Sequence, residues 1–200
     1  MRGMCLLRRG ILVKPGAAAD GERGNAIPSA SSASNNGNAV HLLDSICKSH
    51  RLTIRSSYGA ELLAASHGYD DAYPTLVTLV ELKYDVLKPE DLKRYREEGG
   101  LAWNVVLTTD AESVYKSLTS RDLKTPAEKT LLGHVSWIRE CLQLKLIESL
   151  QWCDTRDMTA DGHTKGCIDR KLLVELMKGH QQYTHEVKSY TPHRTDKSGQ

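Results

Sequence analysis

The sequence has no phenylalanine, no cysteine pair spaced as CxxC, and no apolar run near the ~18 residues that a membrane-spanning helix needs. The last of these absences argues against a helical membrane span. The five cysteines, Cys5, Cys47, Cys141, Cys153 and Cys167, are odd in number and scattered. They are expected to be free thiols in a reducing compartment, not a disulfide scaffold, and zinc sites usually need closer pairs. Charge of one sign is lacking too. Lys and Arg total 27 against 25 Asp and Glu, a formal +2, so net charge alone does not announce a nucleic-acid binder. No continuous apolar core of a secretory signal is present, because Arg8-Arg9 splits Cys5-Leu6-Leu7 from Ile11-Leu12-Val13. An intracellular, non-secreted protein is expected, with cytoplasm and nucleus not distinguished. The missing phenylalanine excludes nothing by itself.

What is present points to one globular unit. The 200 residues are 40% hydrophobic and 26% charged, which is globular composition. Residues 1–38 are rich in Gly, Ala, Ser and Asn and are expected to lack fixed structure, since they offer little apolar surface against an ordering cost of ~1–2 kcal/mol per residue. Residues 39–180 form the expected domain, and 181–200 a loose polar tail. Ala39–Leu43 and Leu52–Ile54 read as extended pieces. From Ser57 apolar residues recur at helical spacing through Val86, with a break expected near Asp70–Pro74. Pro89-Glu90-Asp91 opens a short charged helix that ends at Gly99-Gly100. Leu101–Leu107 reads as a buried strand, and Thr109-Asp110-Ala111-Glu112 as a capping box opening a helix through Leu118. Glu128–Gln143 places Leu131, Leu132, Val135, Ile138 and Leu142 on one helical face. Lys145–Trp152 reads as another strand and Ile168–Met177 as a final helix. No internal repeat is visible. Alternation of this kind predicts an α/β domain with parallel pairing between at least two strands.

Three acids occupy comparable places: Glu61 early in the first long helix, Asp110 after one strand, and Asp161 between a strand and the last helix. Residues just past strand ends in an α/β sheet can converge on one edge. Three carboxylates within about 5 Å repel by roughly 3 kcal/mol per pair at an effective dielectric near 20, so they need raised pKa values or a cation. Hard oxygen ligands suit Mg²⁺ or Mn²⁺, and a pair of such ions can drive phosphodiester hydrolysis.

The wording of the segments is more specific. Ser56-Ser57-Tyr58-Gly59-Ala60-Glu61, Leu107-Thr108-Thr109-Asp110, Trp137-Ile138-Arg139-Glu140 and Ala160-Asp161-Gly162-His163-Thr164-Lys165 resemble, in order, four segments of the ribonuclease H domain of copia-type retrotransposon polyproteins. The resemblance covers about residues 40–178. It implies a ribonuclease H-like mixed sheet with flanking helices. It also implies metal-dependent hydrolysis of RNA in RNA–DNA hybrids, with Glu61, Asp110 and Asp161 as catalytic residues and ligands of Mg²⁺ or Mn²⁺. The family's fourth acid lies on a first, central strand for which this sequence shows no match, since neither Asp20 nor Asp44 fits. The chain is therefore expected to be an N-terminally truncated copy, lacking the first hairpin and its central strand, with weak or no activity. The alternatives are a non-catalytic nucleic-acid- or protein-binding module of the same fold, and a decayed reading frame.

Plainer readings stand beside these. Asp110 suits a first helical turn, Asp161 competes with Asp154 and Asp157, and Glu61 could be a half-exposed acid beside Arg55. A partnerless buried Glu61 would be costly on an otherwise apolar stretch. His163 loosely matches a family histidine that assists product release. Lys48, Arg51 and Arg55 form one candidate phosphate-contacting stretch; Arg121, Lys124 and Lys129 form another. Trp103 and Trp152 read as core. RNA–DNA hybrid or another nucleic acid is the implied partner; no membrane is.

Overall fold

The computed structural model describes residues 4–11, 40–49, 54–98, 103, 105–161 and 169–192. Two strands open the chain, β1 (Met4–Ile11) and β2 (His41–Ser49). They pair antiparallel from Met4 opposite Ser49 to Ile11 opposite His41, with a register shift at Arg9/Gly10. The strand β1 lies inside the segment expected to lack structure. Its backbone partners come from β2, about thirty residues downstream, and composition carries no signal of such pairing. The remainder of 1–38 lies outside the described residues. β2 also runs past the expected Leu43 through the polar Asp44, Ser45 and Lys48. Ile54 packs on the core rather than forming a strand.

Helix α1 (Ser57–Lys83) begins where Ser56 Oγ accepts a hydrogen bond from the Gly59 amide at 3.1 Å. It continues through Pro74, so the expected break does not occur. Proline removes the main-chain donor that would serve the Asp70 carbonyl, and the hydroxyls of Thr75 and Thr78 bond elsewhere, to the Asp71 and Pro74 carbonyls. Packing holds both halves. Leu62, Leu63, Ala65 and Tyr69 join the main core before the proline, and Leu76 and Val80 a second cluster after it. Gly59 lies where two segments approach closely. A Cβ there would sit 2.8 Å from Ile54 Cγ2 and 3.0 Å from Leu131 Cδ1. Gly59→Ala is expected to destabilise the fold by a net of about 1 kcal/mol, read as a lower denaturant midpoint, the overpacking cost exceeding the helix-propensity gain. An unchanged midpoint would show that Ile54 can move aside.

Helix α2 (Pro89–Glu98) is the expected short charged helix, with Glu90 and Asp91 in its first turn, and the expected stop at Gly99-Gly100 lies outside the described residues. β3 (Val105–Thr109) covers the later part of the expected strand, whose residues 101, 102 and 104 lie outside the described residues, and it is only partly covered, Val106 being 42% exposed. Then follow α3 (Glu112–Thr119), a 3-10 turn (Lys129–Leu131), α4 (Leu132–Gln143) and β4 (Ile147–Cys153). A second 3-10 turn (Thr155–Asp157), α5 (Lys171–Met177) and β5 (Val187–Tyr190) complete the order. The sheet order is β3-β4-β5, with β3 parallel and β5 antiparallel to β4. The parallel pairing is as expected. The strand β5 is not, because it falls in the segment read as a loose tail. Helices α1, α3 and α4 close over β3 and β4. Leu62, Leu63, Val114, Ile138, Ile147 and Leu150 are at most 1% exposed at their junction. The architecture is thus mixed α/β, a three-stranded mixed sheet with flanking helices. No helix among the described residues is long and apolar enough to cross a membrane.

Candidate functional site

Parallel pairing brings the C-terminal ends of β3 and β4 together, with Thr109 opposite Trp152. The chain therefore leaves both strands at one sheet edge, carrying Asp110 from the first and the turn Asp154–Asp161 from the second. Asp110 is half-buried. Its main-chain oxygen accepts a hydrogen bond from Trp152 Nε1 at 2.9 Å, and the ammonium of Lys188 on β5 sits 4.5 Å above the Trp152 ring. Trp152 is thus half-buried at the site edge and not wholly core. The expected capping box does not form. Thr109 Oγ1 accepts from the Ala111 amide at 3.1 Å, two residues on, and shapes the turn bearing Asp110. The helix cap is Ala111, which offers no side-chain acceptor. Glu112 instead pairs with Lys116 at 3.0 Å and Lys188 at 3.6 Å. These cations, Lys116 first, hold its carboxyl below the usual range.

Asp161 is half-buried, and its amide donates to the Met158 carbonyl at 3.1 Å. It borders a cleft of about 380 Å³ together with Thr155, Arg156, Thr159, Asp169 and Lys171. Glu61 stands in the opening turns of α1, which reach α3 through Tyr58 Oη and Ser117 Oγ, 3.0 Å apart. The Glu61 side chain is exposed, so the cost expected for a buried carboxylate does not apply. Among the described residues, no group of three or more His, Cys, Asp or Glu side chains comes close enough to hold a metal ion. Asp110 and Asp161 follow adjacent strands at one edge, but the three acids do not form a ligand set.

The two other candidates near Asp161 have different work. Asp154 accepts from the Arg156 amide at 2.9 Å and from its guanidinium at 2.8 and 2.9 Å, which holds its carboxyl well below the usual range. Asp157 is only 2% exposed. It accepts from the Thr184 amide at 3.0 Å, Thr184 Oγ1 at 2.8 Å and the His185 amide at 2.7 Å, and His185 Nδ1 lies 3.0 Å away. Burial pushes its pKa up, but the His185 and Thr184 hydrogen bonds and the imidazole together outweigh burial and leave it lowered. Asp157 therefore anchors the C-terminal segment. Its partners lie 27 and 28 residues on, and no local pattern announces them.

Of the candidate phosphate contacts, Arg55, Arg121, Lys124 and Lys129 are exposed. Lys48 lies in β2 with its side chain outside the described residues. Arg51, His163 and Cys167 are outside them altogether. Cys141 and Cys153 are buried thiols. Burial pushes the Cys141 thiol up to about 12, and Cys153 Sγ rests 3.8 Å from Met158 Sδ. Both behave as core groups. No protein-family model, curated protein or solved structure matches the chain.

Proposed function

We propose that this chain is a ribonuclease H-like domain of the copia-type retrotransposon lineage, impaired as a nuclease, that binds RNA–DNA hybrids. The observation that carries the reading is the parallel β3–β4 pair. Asp110 directly follows one strand and Asp161 follows the other after a short turn, while the helix packed on β3 bears Glu61 in its opening turns. This is the order in which the four sequence segments lead the resemblance to expect acids, strands and helices.

The impairment is supported by how the acids lie among the described residues and by the first strand. Glu61, Asp110 and Asp161 form no ligand group, and β1, which pairs at the start of the domain, reads Met-Cys-Leu-Leu-Arg-Arg-Gly-Ile with no carboxylate. No hydrolytic step is assigned here to Mg²⁺ or Mn²⁺. What remains is binding. Exposed Arg55, Arg121 and Lys124 offer phosphate contacts that need only positive charge and reach. A buried core of Leu62, Ile138 and Leu150 favours a folded product over a decayed frame.

The test is the purified full chain with an end-labelled RNA–DNA hybrid in Mn²⁺ across a salt series. Binding that weakens log-linearly with salt is expected, with cleavage at or near background. Strong cleavage would refute the impairment. Residual cleavage that survives Asp110→Asn would remove Asp110 from the site. No salt-dependent binding would sink the reading as a whole.

A further inference from the structure

Of the sequence segment Trp137-Ile138-Arg139-Glu140 only Ile138 has a role so far, in the core, yet the Arg139 side chain makes three hydrogen bonds to main-chain carbonyls. From α4 its guanidinium reaches across to the end of α3. There Nη1 donates to the carbonyls of Ser120 at 2.8 Å and Ser117 at 3.4 Å, and Nη2 to that of Arg121 at 3.1 Å. Ser120 tightens the same turn, its hydroxyl lying 3.2 Å from the Ser117 carbonyl and 2.8 Å from that of Asp122. A planar cation at a helix C-terminus satisfies carbonyls that have no partner within the helix. Just beyond this clamp, residues 121–125 are all exposed and carry Arg121 and Lys124. The clamp thus fixes where two exposed cations leave the body of the domain.

Resting on the hybrid-binding reading, we infer that Arg139 is a positioning residue: by gripping the carbonyls of 117, 120 and 121 it aims Arg121 and Lys124 at backbone phosphates of a bound hybrid. The eight residues of α3 rise about 12 Å. The loop therefore stands about one helix length from the turn that bears Asp110, and its contacts would fall on phosphates away from that turn.

The experiment measures hybrid affinity of the full chain over a salt series, with limited trypsin digestion in parallel. Arg121→Gln/Lys124→Gln is expected to flatten the log–log salt slope by nearly two, at about 0.9 per lost phosphate contact. Arg139→Gln is expected to weaken binding about fivefold at low salt, and to speed tryptic cutting after Arg121 about tenfold. Arg139→Lys is the deciding variant. It keeps the charge but loses the planar fork, so a clamp predicts that it behaves like Arg139→Gln, whereas direct phosphate contact predicts wild-type binding and overturns the inference. Faster proteolysis with unchanged affinity also overturns it, as does an unchanged slope in the double variant. In each of those cases wild-type binding keeps the hybrid reading alive. If the wild-type chain binds no hybrid, the reading and the clamp's purpose fall together.

Discussion

Replacing Asp157 with alanine is expected to destabilise the fold by about 3 kcal/mol, the scale of losing several hydrogen bonds to a buried charge and stranding their donors. Three donors, the Thr184 and His185 amides and the Thr184 hydroxyl, converge on this nearly inaccessible carboxylate, with His185 Nδ1 3.0 Å away. In a chain of this size about 3 kcal/mol corresponds to a drop of roughly 6–12 °C in Tm. Asp157→Asn should cost less, because one carbonyl oxygen still accepts, but it removes the charge. The pH dependence follows from the sign of the shift. The folded-state pKa of Asp157 lies below its ordinary 3.8, so its contribution is complete above that value and is lost as pH falls through the folded value. Thermal melts between pH 6 and pH 2 check this, the loss being expected below about 3.8. Wild type should lose stability on the acid side more steeply than Asp157→Asn, and parallel curves for the two proteins would remove the carboxylate from the account. Hydrogen exchange adds a local readout. In the alanine variant the amides of 187–190 should lose protection before those of β4.

The second large effect contrasts two apolar residues of the sheet. Leu150, in the middle of β4, has no exposed surface, whereas Val106 on β3 is 42% exposed. Leu150→Ala should cost about 3–4 kcal/mol, the transfer term plus a cavity beneath α3 and α4. Val106→Ala should cost under about 0.5 kcal/mol, as surface substitutions usually do. Urea midpoints for the two variants decide the matter. A costly Val106→Ala would mean that β3 is covered in solution by something further, and a cheap Leu150→Ala would mean that β4 is not the central strand.

The legible parts of this molecule are those that carry their own local signals. Helix α2 announces itself with Pro89 and two first-turn acids, and α4 with apolar residues at helical spacing from Leu131 to Leu142. Asp110 after β3 and Asp161 after β4 were likewise readable, because a strand and the turn that leaves it adjoin in sequence. The parts that escaped depend on distant partners. In β5, Val187 and Ser189 face solvent, and the strand exists through its pairing with Trp152 and Cys153 of β4. In β1 the interrupted apolar triplets suggested no element, yet β2 supplies a register across all eight residues. Thr109 shows the limit of spacing rules on a finer scale. Its hydroxyl takes the nearer amide of Ala111, so a perfect four-residue capping pattern yields a turn instead. Pro74 shows the reverse, a breaker overridden by packing on both sides. The exposure of Glu61 could not be read from its apolar neighbours, because it occupies the solvent side of a helix whose other faces are covered.

The joining of β5 to β4 through Asp157 has a consequence for biosynthesis. A ribosome delivers the chain from its first residue to its last, and domains consolidate as their pieces emerge. The carboxylate that will be enclosed is made 27 residues before the hydroxyl that neutralises its isolation. Until Thr184 and His185 have cleared the exit tunnel, the sheet has one flank bare and an acid that must stay hydrated. Closure of this flank therefore waits on residues 184–190, and a stall at about residue 180 should leave a nascent chain that chaperones and proteases recognise as unfinished.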